Sequence, residues 1–173
     1  MPDREPDAAP DDLPLARPVN RRPERDDVPA TVRISKLARA FLGILALGFL
    51  VVFGIAAWLH PYDETGKPYS MATHMQLGMP ACNMVVLYGK PCPSCGMTTS
   101  FSLLVHGDVG NSLKANWVGT LMAIFWIGLI PWGLYGALKG RVPWVKNLEI
   151  FLTVSVGVTL ALMVLRWGWI LVF

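Results

Sequence analysis

The residues that could do chemistry in this chain are concentrated at Cys92-Pro93-Ser94-Cys95-Gly96, with one further thiol at Cys82. Two thiols three positions apart suit three kinds of chemistry. As a redox pair, Cys92 and Cys95 would exchange disulfides, although the βαβ context of a thioredoxin-like fold is absent. As a metal site, Cys82, Cys92 and Cys95 supply three ligands for zinc or copper. His74 is free to approach as a fourth ligand. His106 is a poor one, because eleven residues of straight helix would place it ~16 Å from Cys95 along the axis. As structural residues, the thiols would pin the segment by a disulfide or by packing. Three cysteines cannot form a fully paired disulfide framework.

A helix after Pro93 would put Cys95, Thr99, Ser102 and His106 on one stripe, and Met97, Phe101 and Leu104 on another. Pro93 suits the first turn of such a helix. Cys92 would then lie at its N-terminus, where free N–H groups and the helix dipole stabilise a thiolate. Gly96 allows close backbone approach to a metal or a neighbouring helix. Gly107 is placed to end the helix, and Asp108 to cap a short amphipathic helix running through Leu113 and Lys114.

Hydrophobic elements must hold this segment. Of the 173 residues, 53% are hydrophobic and only 16% charged, a balance that suits an integral membrane protein. Three apolar stretches are long enough to cross a bilayer: about 39–60, 117–138 (interrupted by Pro131, an expected kink) and 150–170. The expected fold is an all-α integral membrane protein with about three transmembrane helices. A short interfacial or re-entrant helix follows the CxxC motif, inside a cysteine-containing segment over 80–116.

Residues 1–35, rich in Pro, Asp and Arg, are expected to be a disordered cytoplasmic tail before a helical membrane domain over 36–173. They lack the pattern of a cleavable signal, so the first apolar run is expected to be retained. Arg33, Lys36 and Arg39 precede that run, and Lys139, Arg141 and Lys146 lie in the 139–146 loop. The positive-inside rule puts both in the cytoplasm and the cysteine segment on the outer side of a cell membrane. Arg166 is then expected to snorkel to the outer interface beside Trp167 and Trp169. The sharper alternative is that it reaches the cysteines and lowers a thiol pKa. His60 is expected to be an interface or loop residue.

The sequence contains no phosphate loop and no Ser-His-Asp pattern. Asp108 is the only acidic residue between Glu64 and Glu149, which argues against a proton-coupled transporter. The expected partners are the lipid bilayer and a membrane protein, with no nucleic acid.

From Pro80 to Asn116 the chain resembles small bacterial membrane proteins carrying domain of unknown function 2752. The resemblance rests on Cys82, Tyr88-Gly89-Lys90-Pro91 at a turn, Cys92, Pro93, Cys95, Gly96 and Thr98. It continues through Gly107-Asp108 and Asn116. Thr99 stands where many members have Arg, and Trp117 where Pro is common. The resemblance implies a membrane location and no particular activity. The leading expectation is a non-enzymatic membrane protein whose three-Cys site binds a metal or fixes structure. The alternatives are a membrane thiol–disulfide oxidoreductase using Cys92 and Cys95, and an accessory subunit of a membrane complex.

Overall fold

The computed structural model describes residues 32–145 and 147–172. Its regular elements are helices apart from one two-residue antiparallel strand pair, and three of the helices are long and apolar enough to cross a membrane. These are α1 (Lys36–Trp58), α4 (Val109–Lys139) and α5 (Leu148–Val172). Between α1 and α4 lie a 3₁₀ turn (Thr73–Leu77) and two short helices, α2 (Asn83–Tyr88) and α3 (Met97–Val105). Residues 1–31 of the expected tail lie outside the described residues. Val32–Arg33, at its end, pair with Arg141–Val142, and Ser35 caps α1 by accepting from the Ala38 N–H.

That pairing fixes the relative layout. The start of α1 and the loop after α4 share one end of the bundle. Arg39 reinforces this end, donating from Nε to Ala137 O (2.9 Å) and from Nη2 to Leu138 O (3.1 Å). It thereby satisfies carbonyls that the C-terminus of α4 leaves open. The cysteine segment and the end of α5 lie at the opposite end.

Small residues let α1 and α4 approach. A Cβ added at Gly136 would lie 2.9 Å from Leu42 Cδ1, and one at Gly43 would lie 3.6 Å from the Ala137 Cβ. Close backbone approach of this kind drives helix association where lipid leaves little hydrophobic force between helices. Nearer the cysteines, α3 fills the gap between α1 and α4. Phe101 stacks on Phe53 (5.7 Å between centroids) and meets Trp126 edge-on (5.6 Å), so the expected Met97–Phe101–Leu104 stripe faces the core.

The other face of α3 is polar, fully buried and paired within the protein. Thr73 Oγ1 donates to Thr99 Oγ1 (2.8 Å) and Ser102 Oγ to Leu59 O (3.0 Å). Ser112 Oγ reaches both Ser100 O and Thr120 Oγ1 at 2.7 Å. Each buried hydroxyl thus avoids the cost of an unmade hydrogen bond.

The expected caps hold. Gly107 takes a left-handed φ of 84° at the end of α3, with Asp108 N bonded to Leu103 O, a Schellman closure. Asp108 caps α4 through Asn111 N. Inside α4, helical dihedrals fail at Asn116 (φ −160°, ψ 98°), while Pro131 lies within continuous helix. The break divides a short segment over 109–115 from the span proper.

Candidate functional site

Cys92 and Cys95 sit in a turn ahead of α3, which begins only at Met97. This corrects the expectation that Cys92 opens a helix continuing through Cys95. Gly96 is the cause: it takes φ +81°, and a Cβ there would lie 2.6 Å from Ala115 O and 3.1 Å from Ser70 O. Only glycine accepts both the left-handed backbone and that proximity. The expected stripe from Cys95 to His106 is therefore broken. His106 instead bonds Ser102 O through Nδ1 (2.8 Å) and packs edge-on against Tyr62, away from the thiols.

Cys82 is the thiol at a helix start, as the N-cap residue of α2. Its sulfur, with those of Cys92 and Cys95, forms a group whose members all lie within 4.8 Å of one another. Cys92 Sγ and Cys95 Sγ are 3.1 Å apart, and the Cys92 N–H points at Cys95 Sγ (3.2 Å). All three side chains are free thiols and half-buried. His74 lines the same cavity, of about 440 Å³, but stands outside the close sulfur group.

The thiols differ electrostatically. The N–H of Val85 holds Cys82 down to about 7, without a formed capping hydrogen bond; the Cys95 and Cys92 thiols add to this. Burial pushes Cys95 up to about 12, with its hydrogen bond to Cys92 in support. The group thus pairs one readily ionised sulfur with one that stays protonated.

Asn116 links this turn to the span. Its extended backbone makes it the N-cap of the helix that follows: Oδ1 accepts from Gly119 N (3.1 Å) and Nδ2 donates to Cys95 O (3.1 Å). Gly119 N is thereby taken from Ala115 O, its ordinary helical acceptor. The freed carbonyl accepts from Arg166 Nη2 (3.2 Å), reaching over from α5. Arg166 therefore arrives at the cysteine segment, as the sharper of its two sequence readings expected, but the lowered thiol, Cys82, owes its shift to the Val85 N–H and the other thiols rather than to Arg166. The Arg166 Nη1 is buried without a partner among the described residues. Neighbouring contacts seat the end of α5 on the same turn: Trp167 Nε1 donates to Pro91 O (3.0 Å) and Lys90 Nζ to Leu171 O (2.8 Å).

Sequence reasoning missed two groups. Asn116 was visible only as a motif match, with no structural role attached. Met71, Met75, Met79 and Met97 line the cavity beside the cysteines. Their signal was the four-residue spacing of the first three. Chemically, the site gathers soft sulfur donors near a half-buried cation.

Residues 82–130 match the family model described as a protein of unknown function (DUF2752), in agreement with the resemblance carried by the cysteine motif. No curated protein and no solved structure matches the chain.

Proposed function

We propose that this multi-pass membrane protein holds a soft metal ion, zinc or copper, on Cys82, Cys92 and Cys95, and that the site is binding rather than catalytic. The observation that carries the reading is the convergence of three sulfurs, from two separate stretches of chain, within 4.8 Å of one another. Zinc–thiolate bonds of ~2.3 Å in a tetrahedron separate sulfurs by about 3.8 Å, so Cys92 and Cys95 need only open slightly from 3.1 Å. Zinc on three thiolates, or copper(I) on two, leaves one negative charge. Arg166 is placed to offset it, and the unpartnered Nη1 would gain a counter-charge. In the same reading the N-terminus is cytoplasmic and the site faces the outer side of a cell membrane, following the basic flanks of α1 and of the 139–146 loop.

The 3.1 Å approach of Cys92 and Cys95 favours one rival, a thiol–disulfide pair. Anaerobic purification, metal analysis and thiol counting by alkylation separate the two. One metal per chain, lost in Cys92→Ser, is expected. Three free thiols and no metal after incubation with zinc and with copper(I) would sink the metal reading. A Cys92–Cys95 disulfide trapped in intact cells would favour the rival.

A further inference from the structure

The cavity in front of the sulfur group carries a second set of soft donors that the thiols alone do not explain. Met71, Met75 and Met79 recur every four residues across the 3₁₀ turn, and Met97 opens α3. All four line the cavity with the three cysteines, so one wall gathers half of the chain's eight methionines. His74, from the same turn, lines it too. Met71, Met75 and Met79 are 37%, 47% and 44% exposed. Tyr69 and Leu77 on the same stretch are as open, so the exposure itself is not distinctive; what sets the methionines apart is that their thioethers share one cavity with the thiols. Among the described residues, no carboxylate lines the cavity.

Ligand softness discriminates between the candidate ions. A thioether is neutral, polarisable and needs no deprotonation. It binds copper(I) well, whereas zinc draws its ligands from thiolate, imidazole and carboxylate. A zinc site would gain little from four thioethers and would be served by the carboxylates this cavity lacks. Resting on the thiolate-centre reading, we propose that the ion is copper(I), and that Met71, Met75, Met79 and His74 form an outer station that passes it to the cysteine sulfurs. The transfer is ligand exchange. A copper–thioether bond breaks as a copper–thiolate bond forms, the thiol proton leaves to water, and copper stays monovalent throughout.

The test uses the full chain in lipid nanodiscs under anaerobic conditions. Copper(I) is delivered from a chromophoric copper(I) chelator, and zinc affinity is measured in parallel. The samples are the wild type, Cys92→Ser, and the triple variant Met71→Leu, Met75→Leu, Met79→Leu, which keeps apolar bulk while removing sulfur. Silver(I), redox-inert and equally soft, is added to protein carrying ¹³C-methyl methionine. The triple variant is expected to take copper(I) roughly ten- to a hundredfold more slowly or weakly, with stoichiometry and zinc affinity unchanged. Silver(I) should shift the methyl resonances of Met71, Met75 and Met79 but not those of Met122 and Met163 on the spans. Wild-type copper uptake by the triple variant, or unshifted methyls, overturns the proposal. So does a parallel loss of zinc affinity, which would assign the methionines to folding of the turn. A wild-type protein that binds neither ion through its cysteines refutes the thiolate centre itself, whereas a wild-type protein that takes zinc but not copper(I) through its cysteines refutes the copper assignment alone.

Discussion

Asn116→Ala removes two hydrogen bonds with one substitution, and their separate contributions can be worked out. Loss of the Oδ1 cap on Gly119 N costs about 1 kcal/mol. Loss of the Nδ2 bond strands the half-buried Cys95 carbonyl, at about 1–3 kcal/mol. Together they give ~2–4 kcal/mol, or roughly 4–16 °C in Tm for a chain of this size. Asn116→Ser separates the two effects. Its hydroxyl can still cap Gly119 but is too short to bridge to Cys95, so it should lose only the second contribution. The assay is thermal unfolding in detergent by circular dichroism, combined with alkylation of Cys95 followed by mass spectrometry. The expected order of stability is wild type, then Ser, then Ala, with Cys95 alkylated faster in both variants. If Ser is as damaging as Ala, Asn116 is not the cap. If Ala changes neither Tm nor the alkylation of Cys95, the proposed weld between the cysteine turn and the span is wrong.

Gly96→Ala would push a Cβ to 2.6 Å from Ala115 O at φ +81°, both backbone constraints that no side-chain rotation relieves. A loss of about 2–5 kcal/mol is expected, with metal stoichiometry below one in whatever protein folds. Trp117→Pro should be tolerated within about 1 kcal/mol, because residue 117 is the first position after a cap and Asn116 is already extended. The same change at Ala123, inside the span, should cost about 3 kcal/mol or more, and unfolding midpoints of the two variants check the contrast. In reduced, metal-free protein, the iodoacetamide rate at Cys82 should reach half its maximum near pH 7, while Cys95 stays unreactive well past pH 9. The depressed Cys82 contributes stability that is complete above its unfolded value of 9.0 and lost as pH falls through about 7. The raised Cys95 contributes below 9.0 and loses that contribution towards 12. The unfolding midpoint should therefore rise from pH 7 to 9 and fall beyond it.

The spans were legible because twenty apolar residues need only a length count, whatever they pack against. Gly107 and Asp108 were legible because caps are local: a left-handed glycine and a side chain three residues from the N–H it serves. The start of α3 was not. Proline after Cys92 reads locally as a helix opening, and it is a distant carbonyl, Ala115 O, that gives Gly96 its conformation. The charge at the site was hidden for a similar reason. Arg166 beside two tryptophans has the composition of a membrane interface, and its contact with Ala115 O exists only because Asn116 diverts the Gly119 N–H. The closeness of Cys82 to the CxxC pair was suggested by count and realised by the intervening α2.

The way α5 is fastened has a thermodynamic corollary. None of its described residues is fully buried, and its hydrogen bonds to the rest of the protein gather at its last turns, around Arg166, Trp167 and Leu171. Coupling free energies are reciprocal. Whatever the guanidinium contributes to keeping negative charge on the sulfurs, that charge contributes in equal measure to keeping the helix docked. The helix should therefore be held more firmly when the sulfurs carry negative charge than when they are neutral, and its ease of undocking would report on the charge of a site at its far end.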